Sequence, residues 1–168
     1  VVRRWGVPRP TVLWNCPPAW RPDHPDPVES DRIRETTGIE TERPIILYQG
    51  GFSVDRGVEE LVAAATEPRL MELGAAVVFM GYGRLETFIA EAVAAHPGRI
   101  YLLPAVRPDD LMPWTASADV SFVGQPPRTL NQRMNLPNKL FESMMAGVPV
   151  VVGLAAGHDP DPGLRAFL

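Results

Sequence analysis

Five short apolar runs set the rhythm of the chain after Pro44: IILYQ (45–49), AAVVFM (75–80), RIYLL (99–103), ADVSFV (118–123) and VPVVV (148–152). Each is nearly continuous rather than alternating, which predicts a strand buried on both faces. The stretches between them carry apolar residues at helical spacing. Val58, Leu61, Val62 and Ala65 share one face. Leu85, Phe88, Ile89, Ala92 and Val93 share a second, and Leu140, Phe141, Met144 and Met145 a third. PDDLMPWTAS (108–117) is a weaker helix whose middle Pro113 should distort. Strand alternating with helix predicts an α/β fold: a Rossmann-like, doubly wound parallel sheet with helices on both faces, in a single domain over 44–168.

Residues 1–43 have a different texture. Prolines at 8, 10, 17, 18, 22, 25 and 27 resist helix and central strand alike, so this segment reads as an interdomain linker with one short strand, TVLWN (11–15).

Composition removes whole classes of function. The 168 residues, 45% hydrophobic and 21% charged, suffice for one core. A net charge of -4 argues against a broad nucleic-acid surface, so any anion site must be local. The single cysteine, Cys16, excludes an intrachain disulfide and suits a reducing compartment, the cytoplasm. No apolar run approaches a transmembrane length, and VVRRWG lacks the apolar stretch of a signal peptide. His24, His96 and His158 are scattered without metal-ligand spacing, and no metal or cofactor is expected. The start at Val1 rather than Met suggests a processed protein or an excised piece of a longer one.

In a sheet of this kind ligands bind beyond the carboxyl ends of the strands. The first strand-to-helix loop, YQGGFSVDRG, offers Gly50 and Gly51 for close backbone approach and a helix start near Arg56, a plausible phosphate cradle; a plain tight turn capped by Asp55 is the bland alternative. In MGYGRLE, Glu86 occupies the third glycine position of G-x-G-x-x-G, so a dinucleotide reading is weak. LLPAVRPDD places Pro104 and Ala105 where main-chain groups could face a planar base, or where Asp109 or Asp110 merely caps a helix. The fourth stretch, LPNKLFESMMAGVPVVV (136–152), reads as a capped helix stopped by Gly147. Asn135, Lys139 and Glu142 cluster opposite its apolar stripe. An exposed i,i+3 ion pair is the ordinary explanation of the two charges. A lysine in the first turn opposes the helix dipole, however, and a bound phosphate would compensate it.

YQGGFSVDRGVEELVAAA, VVFMGYG, IYLLPAVRPDDLMPWTASADVSFV and LPNKLFESMMAGVPVVV, in that order, resemble the donor-binding half of a GT-B retaining glycosyltransferase over about residues 44–153. The resemblance implies a transferase using a nucleoside-diphosphate sugar. Arg56 and Lys139 would lie at the diphosphate and stabilise the leaving group, Glu142 at the ribose hydroxyls, and the main chain of Pro104, Ala105 and Val106 at the base. It also implies a partner domain for the acceptor that these residues do not include, and no transfer by this piece alone. Two positions depart from the family pattern. Gly51 stands where an arginine is common, and Met134 where an acid eight residues before Glu142 is common, so the sugar-side acid is either absent or replaced by Asn131 or Asn135. A sugar-nucleotide epimerase of similar architecture and a non-catalytic binding module are the alternatives.

Overall fold

The computed structural model describes residues 31–124, 132 and 137–153. TVLWN, Cys16, His24, His158, Asn131, Met134 and Asn135 lie outside the described residues. The predicted strands form one sheet. β1 (Ile45–Phe52) pairs in parallel with β2 (Ala76–Gly83) along its whole length, from Ile45↔Ala76 to Phe52↔Gly83. β3 (Ile100–Pro104) lies outside β2, while β4 (Val120–Gly124) and then β5 (Val150–Gly153) extend the other side, giving the order β3-β2-β1-β4-β5. The chain therefore winds outward from β1 in both directions, the Rossmann-like layout.

Alternation along the two central strands splits the core. Ile45, Leu47, Ala76, Val78 and Met80 turn to one face, under Ile33 of α1 (Arg32–Thr37) and the half-buried Trp114 of α5 (Leu111–Ala116). Tyr48, Phe52, Val77 and Phe79 turn to the other, under Val58, Leu61 and Ala65 of α2 (Val58–Ala65) and Ile89 and Ala92 of α4 (Glu86–Ala95). The short α3 (Pro68–Glu72) follows α2, and α6 (Asn138–Met145) precedes β5. Tyr48, Phe52 and Phe79 meet as three rings with centroids 5.8–6.3 Å apart. Asp119 locks the opposite, amino edge: one carboxylate oxygen accepts from the Ile45 N–H at 2.7 Å and from Arg34 at 3.0 Å.

Several local expectations change. Gly50 and Gly51 belong to β1 itself, and Gly81 and Gly83 to β2, so both strands run past their apolar runs. The two chains approach so closely there that a Cβ on Gly81 would sit 1.9 Å from the Gly50 carbonyl oxygen; these glycines serve backbone contact, not a dinucleotide loop. The helix after β1 starts at Val58, and Gly57 in the left-handed region, rather than Asp55, holds its cap position. Asp110 heads α5 with no side-chain cap, after a 3-10 turn at Pro108–Asp110. Pro113 falls within the first turn of α5, where its missing N–H deprives the helix of nothing, and it leaves the helix intact. Phe88 is 37% exposed, the outer margin of the α4 stripe.

Candidate functional site

A cleft of about 560 Å³ opens beyond the carboxyl ends of β1, β2 and β3, against the start of α6. Its floor is the extended part of β1, Gln49 to Gly51, beside Met80 and Gly81 of β2. One wall is the loop at Ala105 and Val106, the other Asn138, Lys139 and Glu142, with Arg56 and Tyr82 at the mouth. Seven of the expected site residues thus share this space: Gly50, Gly51, Arg56, Ala105, Val106, Lys139 and Glu142. Pro104 does not line it, because it ends β3 paired with Gly81. Asn135 is outside the described residues.

Arg56 is positioned by a glycine contact. Gly57 and Gly124 of β4 touch face to face, and a Cβ on Gly57 would come within 2.7 Å of the Gly124 Cα. The loop carrying Arg56 is thereby pulled over the end of β4, toward the cleft.

α6 is turned differently from its apolar stripe. Ser143 is its fully buried residue, hydrogen-bonded to Ser121 of β4 at 2.8 Å and to the Lys139 carbonyl at 2.8 Å, while Met144 is 57% exposed. The serine pair satisfies both buried hydroxyls and brings this side of the helix onto the sheet. The turn directs Lys139 and Glu142 into the cleft rather than onto a solvated face. Pro137, not a polar residue, occupies the cap position, with no side-chain cap. The helix does stop at Gly147 (φ 72°), with the Val148 N–H bonding to the Ser143 carbonyl and the Gly147 N–H to that of Met144, a Schellman pattern.

Lys139 and Glu142 make no ion pair within 4.0 Å among the described residues. The Lys139 ammonium lies 4.2 Å above the ring of the buried Tyr48, a cation–π contact. Burial, and then the charge of Arg56, push its pKa down to about 8 against a smaller opposing pull from Glu142. A cation so held favours an added anion. Burial raises the Glu142 pKa, partly offset by a hydrogen bond from the Gln49 side-chain amide at 2.8 Å and by Lys139. Tyr48, buried beneath, has its phenol pushed up to about 12, and the hydroxyl donates to the Gly51 carbonyl at 2.9 Å.

Sequence reasoning missed Tyr48 and Gln49. The signal was present: a polar side chain closes the apolar run IILYQ at the carboxyl end of the first strand, where a floor of the site must lie. Among the described residues no three of His, Cys, Asp and Glu are gathered as a metal site would need, and no helix is long and apolar enough to cross a membrane.

Three solved structures share this fold. WaaG, a glycosyltransferase involved in lipopolysaccharide biosynthesis, superposes with a TM-score of 0.56 at 21% identity, over 82% of this chain and 36% of its own. HepE from Anabaena, solved with UDP-glucose, gives 0.56 at 16% identity over 76% of this chain and 34% of its own. The C-terminal domain of a glycosyl transferase group 1 family protein, LpcC from Francisella tularensis, gives 0.55 at 14% identity, over 74% and 64%. The chain spans about a third of the length of WaaG and HepE. No curated protein sequence matches it. The family described as Glycosyl transferases group 1 matches over residues 43–163, most of the chain; with the half-GT-B sheet and its carboxyl-edge cleft, this places the protein in the glycosyl transferases group 1 family.

Proposed function

We propose that the cleft holds the nucleoside diphosphate of a sugar-nucleotide donor, and that the chain is the donor-binding part of a glycosyltransferase. The observation that carries this reading is the Lys139 ammonium: half-buried, desolvated, without a carboxylate partner among the described residues, and facing the same cleft as Arg56. Two cations at one sheet edge repel each other until an anion arrives. A diphosphate relieves that repulsion and supplies charge-assisted hydrogen bonds. Glu142, one turn further along α6, would accept from the ribose hydroxyls, and the main chain near Ala105 and Val106 would face the base. The complex of HepE with UDP-glucose supports uracil as the first base to test.

In the transfer step the bond from the sugar to the diphosphate breaks and negative charge grows on the leaving oxygen. Arg56 and Lys139, fixed before the reaction, would stabilise that charge and so lower the barrier. The helix α1 packs its Ile33 into the core and so belongs to this domain rather than to a linker; the acceptor groups would come from a second domain joined through the proline-rich residues before α1, so the 168-residue chain binds donor without transferring it. We propose polysaccharide or glycolipid assembly as its setting, in keeping with the involvement of WaaG in lipopolysaccharide biosynthesis, and the cytoplasm as its compartment.

Calorimetric titration with UDP, GDP and ADP tests the reading. One nucleoside diphosphate should bind in clear preference to the others and to its nucleoside. Absence of binding by all three would refute it, and binding of NAD would redirect it.

A further inference from the structure

Glu142 can accept from a ribose only if its carboxylate is held in one orientation. Its Oε2 accepts from the side-chain amide of Gln49 at 2.8 Å, which leaves Oε1 without a hydrogen-bond partner among the described residues, and the residue lines the cleft. Gln49 is 3% exposed at the carboxyl end of β1. Its own carbonyl, Oε1, accepts from the Thr115 hydroxyl at 2.7 Å, and Thr115, wholly buried in α5, also lies 3.2 Å from the Leu111 carbonyl. The chain of contacts therefore runs from α5 through β1 to α6, three elements whose relative positions the sheet fixes.

Chemistry gives that chain a direction. An ionised carboxylate only accepts, so the amide must present its NH2 to Glu142 and its carbonyl to Thr115, which donates. A buried glutamine with both ends satisfied is rigid, whereas apolar packing alone would leave the Glu142 carboxyl free to turn about its last bond. We propose that Gln49, oriented by Thr115, is a positioning residue that holds Glu142 with one oxygen aimed into the cleft, and thereby sets the preference of the site for a nucleotide with intact ribose hydroxyls. The proposal rests on the donor-site reading above and adds a role for two buried residues that no phosphate or sugar contact requires.

The test compares UDP with 2′,3′-dideoxy-UDP, which differ only in the two hydroxyls, by calorimetric titration of the 168-residue chain. The unsubstituted chain is expected to prefer UDP by about tenfold or more. Gln49→Leu should bring the two affinities within about twofold of each other while leaving the ratio of UDP to UMP affinity unchanged. Thermal unfolding of the same variant establishes that it is folded.

Gln49→Glu keeps the shape and supplies a second readout. Where the pH is low enough for the two carboxyls to share a proton, a donor to Glu142 is restored and the preference for UDP returns; where both are ionised it disappears. A merely structural glutamine would not produce that pH reversal. UDP binding by Gln49→Leu with the full preference retained, or an equal weakening of both ligands, overturns the positioning role while leaving the donor site standing. Absence of UDP binding by the unsubstituted chain overturns the donor site, and the ribose role with it. NMR titration of the Glu142 side-chain carboxyl carbon then reads the hydrogen bond itself: loss of the amide donor in Gln49→Leu should move its pKa upward. An unmoved titration overturns the coupling as well.

Discussion

Below Tyr48 and above it, β1 passes through two different environments. From Ile45 to Leu47 its side chains pack among apolar neighbours on both faces, and stability there is a matter of area removed from water and of close packing. From Gln49 to Gly51 the same strand, still paired with β2 residue by residue, floors a cleft lined by Arg56, Lys139 and Glu142. Of the five buried polar residues among the described ones, Gln49 and Thr115 bond to each other beside this cleft, and Ser143 pairs with Ser121 to seat α6 against the sheet. The lower half is built for stability; the upper half holds polar groups at some cost to it.

Breaking the lower half should give the largest effect. Phe79→Ala removes a ring that Tyr48 and Phe52 both touch, and should cost about 3–5 kcal/mol in denaturant unfolding with no specific change in ligand preference beyond loss of folded protein. A cost below about 1 kcal/mol would mean that the aromatic trio is loosely packed.

The upper half should respond in binding instead. Glu142→Ala is expected to weaken nucleoside and nucleoside diphosphate alike by about 1.5–3 kcal/mol, while Lys139→Ala weakens the diphosphate selectively. Parallel calorimetry of both variants decides it, and identical behaviour of the two would erase the distinction between a ribose end and a phosphate end. Lys139→Met carries the contrast further: it removes a desolvated charge from beside Arg56, so thermal stability at neutral pH should rise by about 0.5–2 kcal/mol as diphosphate binding falls.

The pH dependence sharpens the same comparison. The folded-state pKa of Lys139, about 8, lies below the ordinary lysine value of 10.5, so the folded chain holds fewer protons than the unfolded one between those values. Its contribution to stability is therefore unfavourable below about pH 8 and rises as pH climbs from there to the unfolded pKa. Affinity for a diphosphate runs the other way. The protonated form binds, so affinity should hold below about pH 8 and fall above it by up to about tenfold per pH unit, an effect that Lys139→Ala abolishes. Titrations from neutral to alkaline pH measure both slopes.

Gly147→Ala should give the smallest change. Open space surrounds the position, and only the left-handed backbone (φ 72°) resists a side chain, so about 1 kcal/mol of stability should be lost with nucleotide binding untouched. Equal or greater stability would show that α6 does not need that stop.

The sequence by itself determined the layers. Five continuous apolar runs separated by helical stripes can be buried only as a parallel sheet covered on both faces, and a glycine after SMMA can end a helix in only a few ways, so strands, most helices and the Gly147 stop were legible. It also brought Gly50, Gly51, Arg56, Ala105, Val106, Lys139 and Glu142 to one sheet edge, because in such a fold every strand-to-helix loop opens on the same side. Tertiary structure decided the rest. How far β1 and β2 continue past their apolar runs depends on glycine backbones meeting across the sheet, which periodicity cannot report. The roll of α6 was set by Ser143 finding Ser121, two hydroxyls 22 residues apart, against the pull of its own apolar stripe. The separation of Lys139 from Glu142, one cation over the Tyr48 ring and one carboxylate on Gln49, followed from that roll, since a charge pairs with whatever the fold places nearest and not with its neighbour in the sequence.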